Sequence, residues 1–306
     1  MLTLLTLELM AYFYYGIRSV VLAAVCIAAA AAAEIASLRL MKRRFSADDL
    51  TCTSDALILA LMFPAVMDYK VAAVAALFAT IAAKNIFGGR INMIFSPAAA
   101  AYVFVLTSWG RKLLQYPEPH VRSGVFDVPD VLVNSASHTF NHTGTFRYSD
   151  LEILLGNFSG PAGAVSILLL AVAAVVLMFR RSISAGAFLG TIFGTGFFAV
   201  VTPAVSSKSD SLKYSLVTNM VLFAAIYIVS DVRIAPRRDY YAFFYGLFIG
   251  VFSYVLVLTG AKENAIVIVS VLFTPVALGF RNLEKRIEAA AQEQMETDGG
   301  EGETYG

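Results

Sequence analysis

Charge, cysteine and histidine are all scarce in this chain, and each shortage closes off a class of function. Only 15% of the 306 residues are charged, against about 25% in a soluble domain, so composition argues against a soluble globular fold. The formal net charge is +1, which gives no case for a nucleic-acid partner. Two cysteines, Cys26 and Cys52, are too few for an iron–sulfur cluster held by this chain alone. Cys26 lies inside an apolar run and reads as a small core residue. The histidines are His120, His138 and His142. The last two are four apart and could share a helix face as metal ligands. No cysteine or paired acid joins them, and Asn134, Asn141 and Gly144 favour irregular chain there, so no metal site is expected. No G-x-S-x-G elbow surrounds the serines beside His138, so no catalytic residue is assigned. The first segment also lacks the basic stretch and small-residue cleavage site of a secretory signal, and is expected to stay as a helix.

What is abundant is apolar sequence. Hydrophobic residues make up 58% of the chain and mean hydropathy is +0.71. Apolar segments recur from Val20 to Leu278, several near the roughly 20 residues needed to cross a bilayer. The expected fold is an all-α polytopic membrane protein of about ten transmembrane helices, near 2–15, 17–41, 54–67, 70–87, 95–109, 162–180, 183–203, 212–230, 239–259 and 264–280. Two of these, Ser54–Met67 and Phe95–Trp109, are short for a full crossing. Broken membrane helices survive only where protein or a polar cavity covers their loose ends. The chain divides into a first membrane repeat (1–109), a long loop (110–161), a second membrane repeat (162–280) and a charged tail (281–306). That tail starts as a charged helix and ends acidic and glycine-rich, and its end is expected to be solvated and disordered. The dense basic clusters (Arg39 to Arg44, Arg180 and Arg181, Arg233 to Arg238, Arg281 to Arg286) fall on one side, so both termini are expected in the cytoplasm and the long loop outside. SDALILALMFPAVMDYK and TNMVLFAAIYIVSDVRIAP share a broken-helix rhythm, one in each half. Paired interruptions of that kind point to inverted repeats with a site between them.

Three polar stretches break the apolar pattern. In NIFGGRINMIFSPAAAAYVFV, Gly88 and Gly89 can end a helix, Asn92 and Ser96 can satisfy freed backbone groups, and Pro97 suits the first turn of the next helix. This is either a tight re-entry or a site lined by helix ends. In LLGNFSGPAGAVSILLL, Gly156, Asn157, Gly160 and Gly163 precede a full-length helix. It is either a plain turn or an anion site on free amides. The third, DVLVNSASHTFNHTG, crowds Ser135, Ser137, Thr139 and Thr143 into the long loop. Few ionisable groups fall at membrane depth; Glu34, Asp55, Lys84 and Asp231 lie near helix ends, where interfacial placement is the common case.

The run GGRINMIFSPAAAAYVF resembles the GGxxxNxFxPAAxGYAF segment of one membrane family, the RnfD subunits of Rnf-type electron-transport complexes together with the NqrB subunits of the sodium-pumping NADH:quinone reductase. ILLGNFSGPAGAVS is similar to its LFLGNxxGxxGExS segment, with Val165 where the family has Glu. SDALILALMFPA and IYIVSDVRIAP resemble its early and late broken helices. The resemblance spans most of the chain and implies ten helices in inverted repeats, related in fold to urea channels. It further implies FMN, carried on the family's S/T-G-A-T motif by a phosphoester on the outward side. Asn134-Ser135-Ala136-Ser137 stands at that place, which makes Ser137 the matching acceptor and Thr139 the alternate. Gly88, Gly89, Asn92, Pro97, Gly156 and Asn157 are the further cofactor-site candidates that the resemblance singles out, and riboflavin or another flavin is a further option. The implied role is a membrane subunit passing electrons through flavin and coupled to Na⁺ or H⁺ translocation. Its implied partners are other membrane and peripheral subunits, an outward flavoprotein subunit, a flavin transferase and the lipid bilayer. The alternative is a urea-channel-like transporter or pore with no redox role.

Overall fold

Apolar runs free of proline become helices here, and the glycines and prolines between them set where each one stops. The computed structural model describes residues 1–42, 47–87, 93–121, 124–145, 148–203, 207–260 and 263–301, with the backbone alone for 47–48 and 291–301. Among the described residues there are fourteen α-helices and no strand. In chain order they are α1 (Leu2–Tyr15), α2 (Ile17–Leu40), α3 (Thr51–Met62), α4 (Tyr69–Phe78), α5 (Pro97–Leu113), α6 (Ala136–Thr143), α7 (Asp150–Leu155), α8 (Ile167–Phe179), α9 (Ala185–Val201), α10 (Lys208–Val217), α11 (Val221–Ala224), α12 (Asp239–Gly260), α13 (Ala265–Leu272) and α14 (Thr274–Glu301). The π-helical stretches Ala79–Asn85 and Ala225–Val229 continue α4 and α11, one in each half.

Each apolar segment read from the sequence is helical over most of its length, with informative differences. α3 stops at Met62 because Phe63 turns extended ahead of Pro64, the backbone region that a following proline imposes. α8 begins only at Ile167, since Ala162–Ser166 forms a turn. The segment expected at 212–230 is a bent pair, Lys208–Val217 and Val221–Val229, at 54°. The last is also bent, by 45°, between Ala265–Leu272 and Thr274–Ala290, where Pro275 cannot donate a helical hydrogen bond. The tail starts as a helix, as read from the sequence. α14 runs on to Glu301, and buried Glu284 accepts from the backbone N–H groups of Arg237 and Arg238 at 3.1 and 2.8 Å. It satisfies amides just before α12 and docks the start of the tail onto the body.

By length and composition, α2 and α12 are each sufficient to cross a membrane, and two further spans arise if each bent pair is one crossing. The outer faces are apolar as well. Leu2, Leu5, Leu9 and Phe13 are exposed on α1, and Leu189, Phe193, Phe197 and Val201 on α9. Such stripes suit contact with lipid.

On the opposite side of α9, glycine lets two helices touch. A Cβ on Gly190 would sit 2.1 Å from Phe243 O, and one on Gly246 would sit 2.1 Å from Ala187 O. The pairings of Gly186 with Asp239, Gly190 with Phe243 and Gly194 with Leu247 advance together, so α9 and α12 run parallel in backbone contact.

Buried charges knit the helices further. Of the ionisable groups read near helix ends, Glu34, Asp55 and Lys84 are buried and Asp231 is half-buried, all in pairs. Lys84 Nζ lies 3.0 Å from Glu34 Oε1, and Asn85 Nδ2 donates to Glu34 Oε2 at 3.2 Å. Arg233 donates to both Asp55 oxygens at 3.0 and 2.6 Å and also grips Asp231 at 2.6 Å. That fork joins the two halves of the chain.

Gly190→Leu should cost about 1–3 kcal/mol or more by overpacking, seen as a lower melting temperature in detergent. Gly279→Ala, whose new Cβ meets nothing within 4 Å, should leave it unchanged or slightly raised. Lys84→Met should cost about 3–5 kcal/mol by stranding the Glu34 charge, and Glu34→Gln combined with it should recover most of that loss.

Candidate functional site

The interrupted end of α3 leaves carbonyls pointing into an apolar body. Gly163 N donates to Leu61 O at 2.8 Å, and Ala162 N donates to Phe63 O at 3.2 Å. Two amides of the stretch read as an anion site are therefore taken up by the end of α3 and the residue after it. The glycines in this segment are required by space. Gly156 ends α7 with φ at +92°, where a Cβ would lie 2.9 Å from Ser166 Cα, and a Cβ on Gly163 would lie 2.6 Å from Leu61 Cβ. Asn157 is half-buried just beyond, its amide donating to Glu152 O at 2.8 Å.

Ser159 ties this segment to the hydroxyl-rich stretch. Its carbonyl accepts from Ala136 N at 2.9 Å, and its hydroxyl donates to Asn134 O at 3.2 Å. The stretch itself is not irregular, as expected, but the two-turn helix α6. Ser135 is its N-cap and accepts from His138 N at 2.9 Å, while Gly144 closes it in the left-handed region. Capping at both ends outweighs the weak helix propensity of its Ser, Thr and Asn residues. His138 and His142 stack at 4.1 Å, and burial first, then His142, holds His138 below the usual imidazole range.

The helix separates the two acceptor candidates. Ser137 faces inward and is buried, its Oγ accepting from Asn219 N at 2.9 Å. Thr139 is half-buried, donates to Ser135 O at 3.2 Å, and lines a cavity of about 370 Å³. Asn134, Ala136, Tyr148 and Ser159 share that wall, with Glu118 and Leu132 nearby. The volume lies in the range of small-molecule pockets. Ser137 is thus enclosed, whereas Thr139 stands on the cavity wall.

Under α6 lies the break between α10 and α11. Asn219 and Met220 both have φ of +57°, a region that costs an ordinary side chain about 1–2 kcal/mol. Asn219 is held by the Ser137 contact and by a reciprocal amide pair with Asn141, at 2.7 and 3.3 Å. Beside it, buried Glu263 accepts from the hydroxyls of Ser135 and Tyr116. Burial pushes its carboxyl up to about 8 against the lowering effect of the Tyr116 hydrogen bond. Tyr116 pairs backbone to backbone with Val133 at 2.9 and 2.8 Å, which closes the base of the loop.

Pro97 opens α5 at its first turn behind the Ser96 cap, as read from the sequence. It is buried, and it is not among the residues that line the Thr139 cavity. Gly88, Gly89 and Asn92 lie outside the described residues. The Ser230–Pro236 turn meets the starts of α3 and α9, through Arg233 and through Ser184 N donating to Ser230 O at 2.8 Å. Sequence reasoning missed Asn219, Glu263 and Arg233. Glu263 carried a signal, being the one acid between Asp239 and Glu284.

A relative from Acetobacterium woodii, the D component of the Na(+)-translocating ferredoxin:NAD(+) oxidoreductase complex, is 22% identical over 248 residues, covering 81% of this chain and 75% of its own. The D component of the ion-translocating oxidoreductase complex of Ectopseudomonas mendocina is 23% identical over 249 residues, covering 76% and 73%. That of Shewanella frigidimarina is 30% identical over 131 residues, covering 42% and 35%. The family described as NQR2, RnfD, RnfE matches residues 1–279. With its broken helices and docked loop segment, this chain belongs to the NQR2, RnfD, RnfE family.

Proposed function

We propose that the chain is the membrane subunit of an Rnf-type complex, passing electrons through FMN and coupled to movement of Na⁺ or H⁺. The observation that carries the reading is the Thr139 hydroxyl on the wall of the loop cavity, just past Asn134-Ser135-Ala136-Ser137. FMN, when bound, supplies the redox chemistry, and the protein supplies position and surroundings. Tyr148, Leu132 and Val133 offer apolar and aromatic wall, while Asn134, Thr145 and Ser159 offer hydrogen bonds. Ser135 and Ser137 fix the start of α6 to Glu263 and Asn219, and Asn141 ties its last turn to Asn219, so Thr139 is presented by a helix held at both ends. A flavin transferase attaches the cofactor to Thr139 from outside.

In this reading the loop faces outward, toward a flavoprotein partner, and both termini lie in the cytoplasm of a cell-membrane protein. The bundle makes ten crossings in two inverted repeats, like a urea channel, and further membrane and peripheral subunits complete the complex. Support comes from the basic clusters on the face of the termini and from the bent pairs.

The test is co-expression with a flavin transferase, followed by fluorescence of the denatured gel band. Thr139→Ala should abolish the band and Ser137→Ala should retain it. Loss with Ser137→Ala alone would return the acceptor to Ser137. An unmodified intact mass, with the transferase shown to be active, would end the covalent-flavin reading.

A further inference from the structure

On the face that carries the termini, a cavity of about 570 Å³ opens between the α8–α9 turn and the Ser230–Pro236 turn. Its floor is held by the Ser184 to Ser230 hydrogen bond at 2.8 Å and by pairing of Ile183 with Asp231. Two arginines are among the residues that line it, Arg181 and Arg237. Neither makes a side-chain ion pair among the described residues, unlike Arg233 nearby, which is filled by Asp55 and Asp231. Among the described residues Asp239 is the one acid on the wall, so the lining carries a net positive charge. Arg180 and Arg238 add to it as chain neighbours.

Both arginines are positioned by their backbones. Arg181 ends α8 in the left-handed region, φ 51°, with its amide donating to Met178 O at 2.9 Å. Glycine is the usual residue at such a position, so arginine stands there despite a conformational cost. Glu284 binds the Arg237 amide at 3.1 Å, which fixes that backbone at the cavity wall. Immediately beside it the surface is apolar and open, with Phe179 86% exposed, Val232 54% and Leu189 52%. Cationic groups at the mouth and apolar wall alongside suit a ligand that is anionic at one end and hydrocarbon at the other. Arginine forks match phosphate oxygens, and basic pockets between membrane helices take anionic headgroups.

We propose that this cavity binds the phosphate headgroup of an anionic phospholipid, with its acyl chains along Phe179, Val232 and Leu189. The site is separate from the loop cavity and does not depend on the redox reading.

The full chain, purified in mild detergent, would be incubated with phosphatidylglycerol or phosphatidylcholine and examined by native mass spectrometry. Phosphatidylglycerol should be retained over phosphatidylcholine. Arg181→Gln with Arg237→Gln should reduce the retained lipid roughly tenfold or more, whereas Lys285→Gln with Arg286→Gln, which removes the same charge from α14, should not. Equal retention of the two lipids by the wild-type chain overturns the proposal, and that comparison stands even if the arginine variant fails to fold. Wild-type retention by the folded arginine variant overturns it as well. Displacement of phosphatidylglycerol by inorganic phosphate at equal concentration would show an anion site without lipid preference, and would also overturn it.

Discussion

Every interrupted helix in an apolar body ends on backbone groups that only protein can satisfy. In this chain the end of α3 depends on amides lent by the segment between α7 and α8. Leu61 O and Phe63 O accept from Gly163 and Ala162, and Arg18 adds a bond to Val66 O at 3.3 Å. The same arginine reaches Val125 O and Asp127 O, so the loop is tied to the break at two places. Pro64 sets where α3 stops, and without those partners each group stranded there would cost several kcal/mol in a lipid-like medium.

Once the segment after Gly156 is fixed beneath α3, the position of α6 follows. Ser159 binds the start of that helix, Ser135 and Tyr116 meet Glu263, and Ser137 with Asn141 covers the strained Asn219. Each inward contact takes up a hydroxyl or amide that the sequence shows only as one of a crowd. Thr139 is left on the cavity wall because its neighbours are committed elsewhere. The loop is thus a folded part of the membrane body, and the same contacts connect its cavity to the bend between α10 and α11.

Much of this was legible beforehand. Unbroken apolar runs give α1, α2 and α12 almost to the residue, and Pro97 marks the start of α5 because its φ and missing N–H suit that position. What the sequence concealed depends on long-range partners. Arg233 lies in a segment with no apolar periodicity, and its bond to Asp55 spans 178 residues. The amides near Gly163 look free until α3 is set against them. α6 was obscured by weak local propensity, although the Ser135 and Gly144 caps were readable. The spacing of Gly186, Gly190 and Gly194, with Gly246 and Gly250, was a visible small-residue pattern for close helix contact that length and hydropathy do not register.

The central claim is that the segment Gly160–Gly163 is internal structure that closes the end of α3. Amide hydrogen exchange on the full chain in detergent tests it most directly, because protection reports hydrogen bonds that persist in the folded state. The amides of Ala162 and Gly163 should exchange as slowly as those within α3, although they lie in no helix. Exchange as fast as that of the loop residues 124–133 would contradict the account.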